Sequence, residues 1–430
     1  MNVVAVAVPA FSPGTPEHAL ATWVRREGGF VGKVRVETRD GLRGLFVTEP
    51  VRAGELLVSV PPGCIVSADE DSQWGLSLRE LLTARLVGAR TRGQCQPYLD
   101  SLPTLDGAPL LCDWSDEELE QLQAAELAEL ARGMPPFVAA SCERVRPYVQ
   151  AEASVVEWAE RMVRTRAMFF DTGVSRRMSL VPVVDLANHR TPPRRSAMDG
   201  ELLEPVALGS DGESVALVAR SDLRTGEEVC LTYRHEGNGQ LLLHYGFAEM
   251  ICADQPCFET LRLGASSTPL AAALHLGSDE ADAAALAALR RHLVDGGAEG
   301  EAVSALDTGV CSALAAACEV QITRECLRVQ PGVFEIAQDD RRQFLIILRE
   351  RLQAELRRMP TSEEEDAREL ASLSLSADDA GRRRSALTFR VVQKAQLARV
   401  AQMLHSLLAC GGAPTAAQVA AELRGLRSED

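Results

Sequence analysis

Long apolar runs are missing from this chain of 430 residues, and aromatic residues are scarce, at 4% of the total with four tyrosines. No stretch approaches the ~20 apolar residues that a membrane-spanning helix needs, so none is expected. The opening MNVVAVAVPAFSPG carries neither the charged start of a secretory signal nor the Arg- and Ser-rich character of a transit peptide. Eleven cysteines are scattered, the nearest two being Cys252 and Cys257. An odd, scattered set gives no disulfide framework, and no CxxC or HxxxH zinc pattern occurs. Small buried thiols in a reducing compartment are the reading. Positive charge is also short: 45 Lys and Arg stand against 61 Asp and Glu, a net charge of −16. That field disfavours non-specific binding to nucleic acid or anionic membrane, while leaving room for a local basic patch. A P-loop, a GxGxxG between strand and helix, and a GxSxG nucleophile elbow are all absent, which removes the chemistries they carry.

What is present is a soluble globular composition, 46% hydrophobic and 25% charged, long enough for two or three domains. Residues 17–27 predict a short helix ending at Gly28-Gly29. Residues 31–65 alternate and are punctuated at Asp40-Gly41 and Ala53-Gly54, which predicts short strands and tight turns. Residues 68–170 have helical spacing, with Ser115 and Glu118 set as a capping box. Its last piece, SVVEWAERMVRTRAMFF, is expected to be helical throughout. Strand character returns in ESVALVARSDLRTGEEVCLTYR, with a turn at Thr225-Gly226. The order β, helical, β predicts one β-rich domain split by a helical insertion. Beyond residue 260 the chain reads as amphipathic or Ala-rich helices. The charged stretch 361–384, with SEEED and GRRRS, is expected to be a partly mobile loop.

Four segments could carry chemistry. In GLRGLFVTE, residues 41–49, two glycines by a strand allow a ligand close to the backbone, or simply make a hairpin turn. In WAERMVRTRAM, residues 158–168, Arg166 lies one turn from Met162 at the end of an apolar face, where a snorkelling arginine is the plain alternative. In LVPVVDLANHR, residues 180–190, an apolar run ends in Asp185, Asn188 and His189. Such a run predicts a buried extended segment, and buried amides and imidazoles need partners, either the protein itself or something it binds. In LTYRHEGNGQLLLHYGF, residues 231–247, Tyr233 ends a strand and Tyr245 follows a short apolar helix.

In this order the segments resemble the SET-domain protein methyltransferases, specifically the subfamily typified by the Rubisco large-subunit lysine methyltransferase. RGLFV resembles the first cofactor loop. VRTRAM resembles the Ser-Arg helix with Thr165 in the serine place, PVVDLANH the D-x-x-N-H segment, and GEEVCLTYR through HYGF the paired-tyrosine segment. The resemblance implies an α+β fold. A β-rich SET domain (17–67 and 155–255) would carry a helical insertion (68–154), and an all-α substrate-binding domain (256–430) would follow. It implies S-adenosyl-L-methionine as cofactor, held by Arg43, Gly44, Leu45, Thr165, Arg166, Asp185, Asn188, His189, Tyr233 and Tyr245. Tyr233 and Tyr245 would be catalytic, with Tyr233 in the positioning role. It also implies a threaded path for the segment around Asn188 and His189, a departure from the unthreaded rule.

Further expectations are a protein substrate docked between the SET and C-terminal domains, no metal, no direct nucleic-acid or membrane partner, a monomer, and a cytoplasmic or nuclear location. A phenol-lined, water-poor channel suits lysine, since burial lowers an amine's pKa and favours the neutral nucleophile. Tyr245 favours lysine over the histidine-methylating branch. An inactive SET-like scaffold is the alternative outside catalysis. The Pro- and Gly-rich stretch 190–212, and Arg234, His235 and Glu236 after the tyrosine, depart from the subfamily pattern.

Because the sequence offers no zinc pattern, methyl transfer should persist in EDTA. Activity abolished by the chelator and restored by zinc would refute this expectation.

Overall fold

The computed structural model describes residues 14–39, 41–70, 74–171, 176–191, 205–233, 237–250, 260–262, 319–322, 327–328, 346, 349–350, 352–373 and 380–409. Most of the divergent stretch 190–212, and Arg234, His235 and Glu236, lie outside the described residues, as do the Ala-rich run 278–297 and its neighbours.

In chain order the elements are α1 Pro16–Arg26, β1 Phe30–Val31, β2 Val34–Arg39, β3 Leu42–Val47, β4 Leu56–Val60, β5 Val66–Asp69, α2 Leu78–Thr91, α3 Gln96–Ser101, α4 Asp116–Glu120, α5 Ala125–Val145 and α6 Ala153–Arg166. Then come β6 Met168–Asp171, β7 Arg176–Leu180, β8 Asn188–His189, β9 Val206–Leu208, β10 Val215–Val218, β11 Glu228–Leu231 and α7 Asn238–Tyr245. The last are β12 Thr260–Arg262, β13 Glu319–Ile322, β14 Leu327–Arg328, α8 Glu363–Ser372 and α9 Ala380–Ala409.

The chain divides into two compact units. The first comprises Met1–Asp113, Ala131–Arg234 and His244–Gly246. Its described residues form three sheets, ordered β1-β4-β10-β9, β2-β3-β11-β8 and β5-β7-β6. Among the described residues the strand pairs of this unit are antiparallel except β8 with β11, where Asn188 and His189 run parallel to Cys230 and Leu231. The predicted turns at Gly41, Gly54 and Gly226 are present, each glycine having positive φ. The core joins these sheets to α1, α2 and α6 through fully buried Leu20, Leu45, Leu57, Leu82, Leu86, Met162 and Leu180.

Two local expectations are corrected in this unit. Residues 168–170 do not extend α6. Ala167 turns to ψ 136°, and Met168–Asp171 pair along Arg176–Leu180, where aromatic side chains suit a pleated surface. The apolar run after Ser179 is not one extended segment either. β7 stops at Leu180, Val183 takes φ 69° and ψ −44°, and Val184–Leu186 form a 3-10 turn.

The second unit comprises Trp114–Leu130, His235–Leu243 and Phe247–Asp430. Ser115 and Glu118 form the capping box expected of α4. The loop expected at 361–384 is largely helix. Ser362 caps α8 reciprocally with Glu365, so SEEED is a helix start that charge density disguised. α9 begins at Ala380 and contains the GRRRS stretch. A three-stranded antiparallel sheet, β12-β13-β14, adds strands to a region read as helical. At the centre lies Asp366, fully buried. It accepts from Thr361 Oγ1 at 2.7 Å and Lys394 Nζ at 2.6 Å, and is bridged by Arg390. Lys394 also donates to Gln123 Oε1 at 2.9 Å, which ties residues 114–130 to α8 and α9.

Glu80 shows how the first unit secures its helical part. It completes the α2 capping box with Ser77, and its Oε1 accepts from Ser141 Oγ at 3.1 Å and Arg144 Nε at 2.7 Å on α5. Burial pushes its carboxyl up, but the bonds from Ser77, Arg144 and Ser141 outweigh this and hold it below the usual carboxylate range. A depressed carboxylate stabilises fully above its unfolded pKa, near ~4.3, and the contribution is lost as pH falls through the lower folded value. Glu80→Gln should therefore cost about 1–3 kcal/mol at pH 7. In urea unfolding, the gap to wild type should narrow at about pH 3; a gap independent of pH would contradict this role.

Candidate functional site

The site is built on β8. Asn188 is paired with Cys230, so Glu228 lies two residues along β11 on the same face. Asn188 Nδ2 donates to Glu228 Oε1 at 2.7 Å and to the Arg43 carbonyl at 3.0 Å. Both amide hydrogens are thus committed to the protein, and Oδ1 remains the acceptor side. Gly44 is required by this junction. A Cβ there would stand 2.4 Å from Glu228 Oε1 and 2.9 Å from Asn188 Nδ2. Leu45 is fully buried in the core. The Arg43 guanidinium turns to Glu17 Oε1 at 2.8 Å and to the Ser101 carbonyl at 3.2 Å. Arg43 therefore meets Asn188 through its backbone only.

His189 is paired with Leu231, which places Tyr233 two residues further along. Tyr233 N donates to His189 Nδ1 at 3.1 Å, and His189 Nε2 lies 3.4 Å from Thr191 Oγ1. A ring that accepts at Nδ1 carries its proton at Nε2. The Tyr233 hydroxyl donates to the Ala187 carbonyl at 2.9 Å. Its ring lies 5.4 Å from His189 and 5.0 Å from Tyr245, tilted by 52° and 44°. Burial pushes the Tyr233 phenol far up, so it stays protonated at physiological pH. Tyr245 ends α7 rather than lying beyond it. Gly246 after it has φ 80°, and a Cβ there would meet the Pro109 carbonyl at 2.1 Å. Only glycine lets the chain leave α7 at that point.

Beneath this corner lies a charged pair. Asp185 is buried, and its Oδ2 accepts from the Tyr98 hydroxyl at 2.8 Å and lies 3.5 Å from Arg166 Nη1. Arg166 Nη1 also donates to the Asp185 backbone carbonyl at 3.0 Å. Burial raises the Asp185 carboxyl, opposed first by Arg166 and then by Tyr98. Asp185 Oδ1 and Arg166 Nε are both buried with no protein partner. Thr165 is turned to its own helix, its Oγ1 donating to the Arg161 carbonyl at 2.8 Å.

The structure thus groups Gly44, Asn188, His189, Tyr233 and Tyr245 around β8, with Arg166 and Asp185 below. It gives the side chains of Arg43, Leu45 and Thr165 other partners. Sequence reading missed Glu228, the Ala187 carbonyl and Tyr98. Tyr98 had a signal in scarcity: three of the chain's four tyrosines converge here.

Residues 42–234 match the family described as SET domain. Among curated relatives, the chloroplastic ribulose-1,5-bisphosphate carboxylase/oxygenase large subunit N-methyltransferase of Pisum sativum is 25% identical over 264 residues, covering 56% of this chain and 53% of that protein. The ribosomal lysine N-methyltransferase of Schizosaccharomyces pombe is 21% identical, over 53% of this chain and 59% of the relative. The actin-histidine N-methyltransferase of Drosophila melanogaster is 23% identical, over 59% and 52%. The chain spans little more than half the length of the curated relatives it matches. Among solved structures, the SET domain of LSMT bound to lysine and AdoHcy is similar with a TM-score of 0.59 at 18% identity, covering 91% of each chain. Rubisco LSMT bound to AdoMet is similar with a TM-score of 0.58 at 18% identity, over 91% and 92%. Residues 42–234 thus resemble the SET domain family in sequence, and the chain shares the α+β fold of the Rubisco LSMT structures.

Proposed function

We propose that this protein is an S-adenosylmethionine-dependent protein N-methyltransferase acting on lysine. The observation that carries the reading is the corner formed by His189, Tyr233 and Tyr245 on one side of β8, with Asn188 and Gly44 on the other. The donor set fits a zwitterionic cofactor or a charged side chain. Arg166 Nε is a buried donor and Asp185 Oδ1 a buried acceptor, each without a protein partner, and a charged ligand can meet such a demand. Gly44 leaves room beside β3 for the Asn188 amide and Glu228, which sets the edge of the corner. When bound, S-adenosylmethionine supplies an electrophilic methyl group on a sulfonium.

This chain's residues provide position and a proton-poor setting. The Tyr233 hydroxyl has its hydrogen committed to Ala187, so toward a ligand its oxygen can act only as an acceptor. That orients an amine by its N–H and leaves the nitrogen lone pair directed elsewhere, toward the methyl. The new N–C bond forms as the S–C bond breaks and its electron pair returns to sulfur. The amine must arrive neutral, so its proton is lost to solvent before transfer. Buried phenol rings favour that neutral form. Tyr245, packed against Tyr233 at a tilt of 44°, supports lysine as the acceptor, because a second phenol narrows the corner to a thin alkyl amine.

Incubation with isotopically labelled cofactor and a cell extract, followed by mass spectrometry, should find the label on lysine nitrogen. Label on histidine would move the protein to the histidine-modifying branch, and no transfer together with no cofactor binding would favour a scaffold. Asn188→Ala separates Glu228 from the Arg43 carbonyl. It should weaken cofactor binding by about 1–3 kcal/mol in calorimetry. Tyr233→Phe keeps the ring and loses the oxygen. It should slow turnover by roughly ten-fold or more while affinity changes little. A Tyr233→Phe protein working at the wild-type rate would place the chemistry elsewhere.

A further inference from the structure

Tyr98 lies in the helical insertion, far from the motifs, yet it is fully buried and its hydroxyl is spent on Asp185. Asp185 is held at two points. Tyr98 and Arg166 hold its carboxylate, and Arg166 holds its backbone carbonyl at 3.0 Å. Between β7 and Asp185 stands Val183, a β-branched residue at φ 69°. Such a conformation is strained and persists only where the surroundings over-determine it. The turn closes with Leu186 N on the Val183 carbonyl at 3.2 Å and Ala187 N on the Val184 carbonyl at 3.1 Å. Its last residue, Ala187, supplies the carbonyl that receives the Tyr233 hydroxyl. A continuous series of contacts therefore runs from Tyr98 through Asp185 and the strained turn to the phenol at the reaction corner.

We propose that Tyr98 is a positioning residue: by clamping Asp185 together with Arg166, it fixes the Val183–Ala187 turn so that the Ala187 carbonyl aims the Tyr233 hydroxyl. The inference rests on the methyltransferase reading and adds to it a group outside the SET motifs. It assigns the insertion a part in the chemistry, through one hydrogen bond. The role is transmitted, since Tyr98 itself meets Asp185 and no reacting atom.

A double-mutant cycle separates this from plain structural support, because residues that act through one another are non-additive. Wild type, Tyr98→Phe, Tyr233→Phe and the double variant are compared by the initial rate of tritium transfer from S-adenosylmethionine to a heat-inactivated cell extract. Cofactor affinity by calorimetry and melting temperature are measured alongside. Tyr98→Phe should slow transfer roughly ten-fold in the wild-type background and less than about two-fold in the Tyr233→Phe background. Its melting-temperature cost should be the same in both, and cofactor affinity should stay within about two-fold. Equal fold losses in the two backgrounds would overturn the proposal, as would a Tyr233→Phe rate equal to wild type. If Tyr98→Phe does not fold, Asp185→Asn takes its place in the cycle, with non-additive transfer rates as the readout and a loss of cofactor affinity expected besides. Wild-type protein that binds no S-adenosylmethionine would sink the methyltransferase reading and this inference with it. Binding and transfer with an additive cycle would sink the positioning role alone.

Discussion

Two residues in parallel register hold the candidate site together. Asn188 and His189 pair with Cys230 and Leu231, and side chains two apart along a strand share a face. That register brings Glu228 under the Asn188 amide and Tyr233 over the His189 ring. A slip by one residue would send each pair to opposite faces. A parallel pair cannot be closed by a tight turn. The chain leaves after β8 and returns to β11 through β9 and β10, which belong to a different sheet. The site thus depends on the packing of the whole first unit.

Two buried ionic clusters show the difference between support and readiness. Around Asp366, Thr361, Arg390, Lys394 and Gln123 satisfy one another, and the carboxylate lies below its usual range despite the burial that opposes this. A saturated network of this kind rigidifies and has nothing left to offer. Around Asp185 the count is short. The carboxylate is raised by burial, and one of its oxygens and one arginine nitrogen have no protein partner. Buried polar atoms are rarely left so. The first cluster is satisfied within its own unit, and the second leaves polar atoms without a protein partner.

Much of this was legible in the sequence, and the unread parts have identifiable causes. The glycines at 41, 54 and 226 marked turns because their backbones take positive φ. Ser115 with Glu118 marked a helix start because the spacing is local. Ser362 with Glu365 carried the same signal and was missed, since the acidic run around it reads as solvated loop. The end of α6 at Arg166 was hidden because Met168 to Phe170 continue an apolar helical spacing, and only their pairing with β7 decides the matter. Asn188 and His189 were found, but not their partners. Glu228 is set 40 residues away and Arg43 145 residues away, and Asn188 reaches Arg43 through its carbonyl, which no side-chain motif encodes. Tyr98 was missed for a related reason: its partner is 87 residues distant, and the scarcity of tyrosine is the one signal the sequence offers for it.

The Asp366 network also sets a clock on synthesis. Gln123 meets Thr361 across 238 residues and Lys394 across 271. At about 5–20 residues per second, a ribosome needs on the order of ten to fifty seconds to supply the partners of residues 114–130. Through that interval Leu119 and Leu122, buried in the finished protein, have no helical unit to enter. The nascent chain thus carries an unfinished apolar segment between two stretches of the first unit. Asp116, Glu117, Glu118 and Glu120 lie beside Leu119 in that segment, and like charge opposes association of exposed apolar chain.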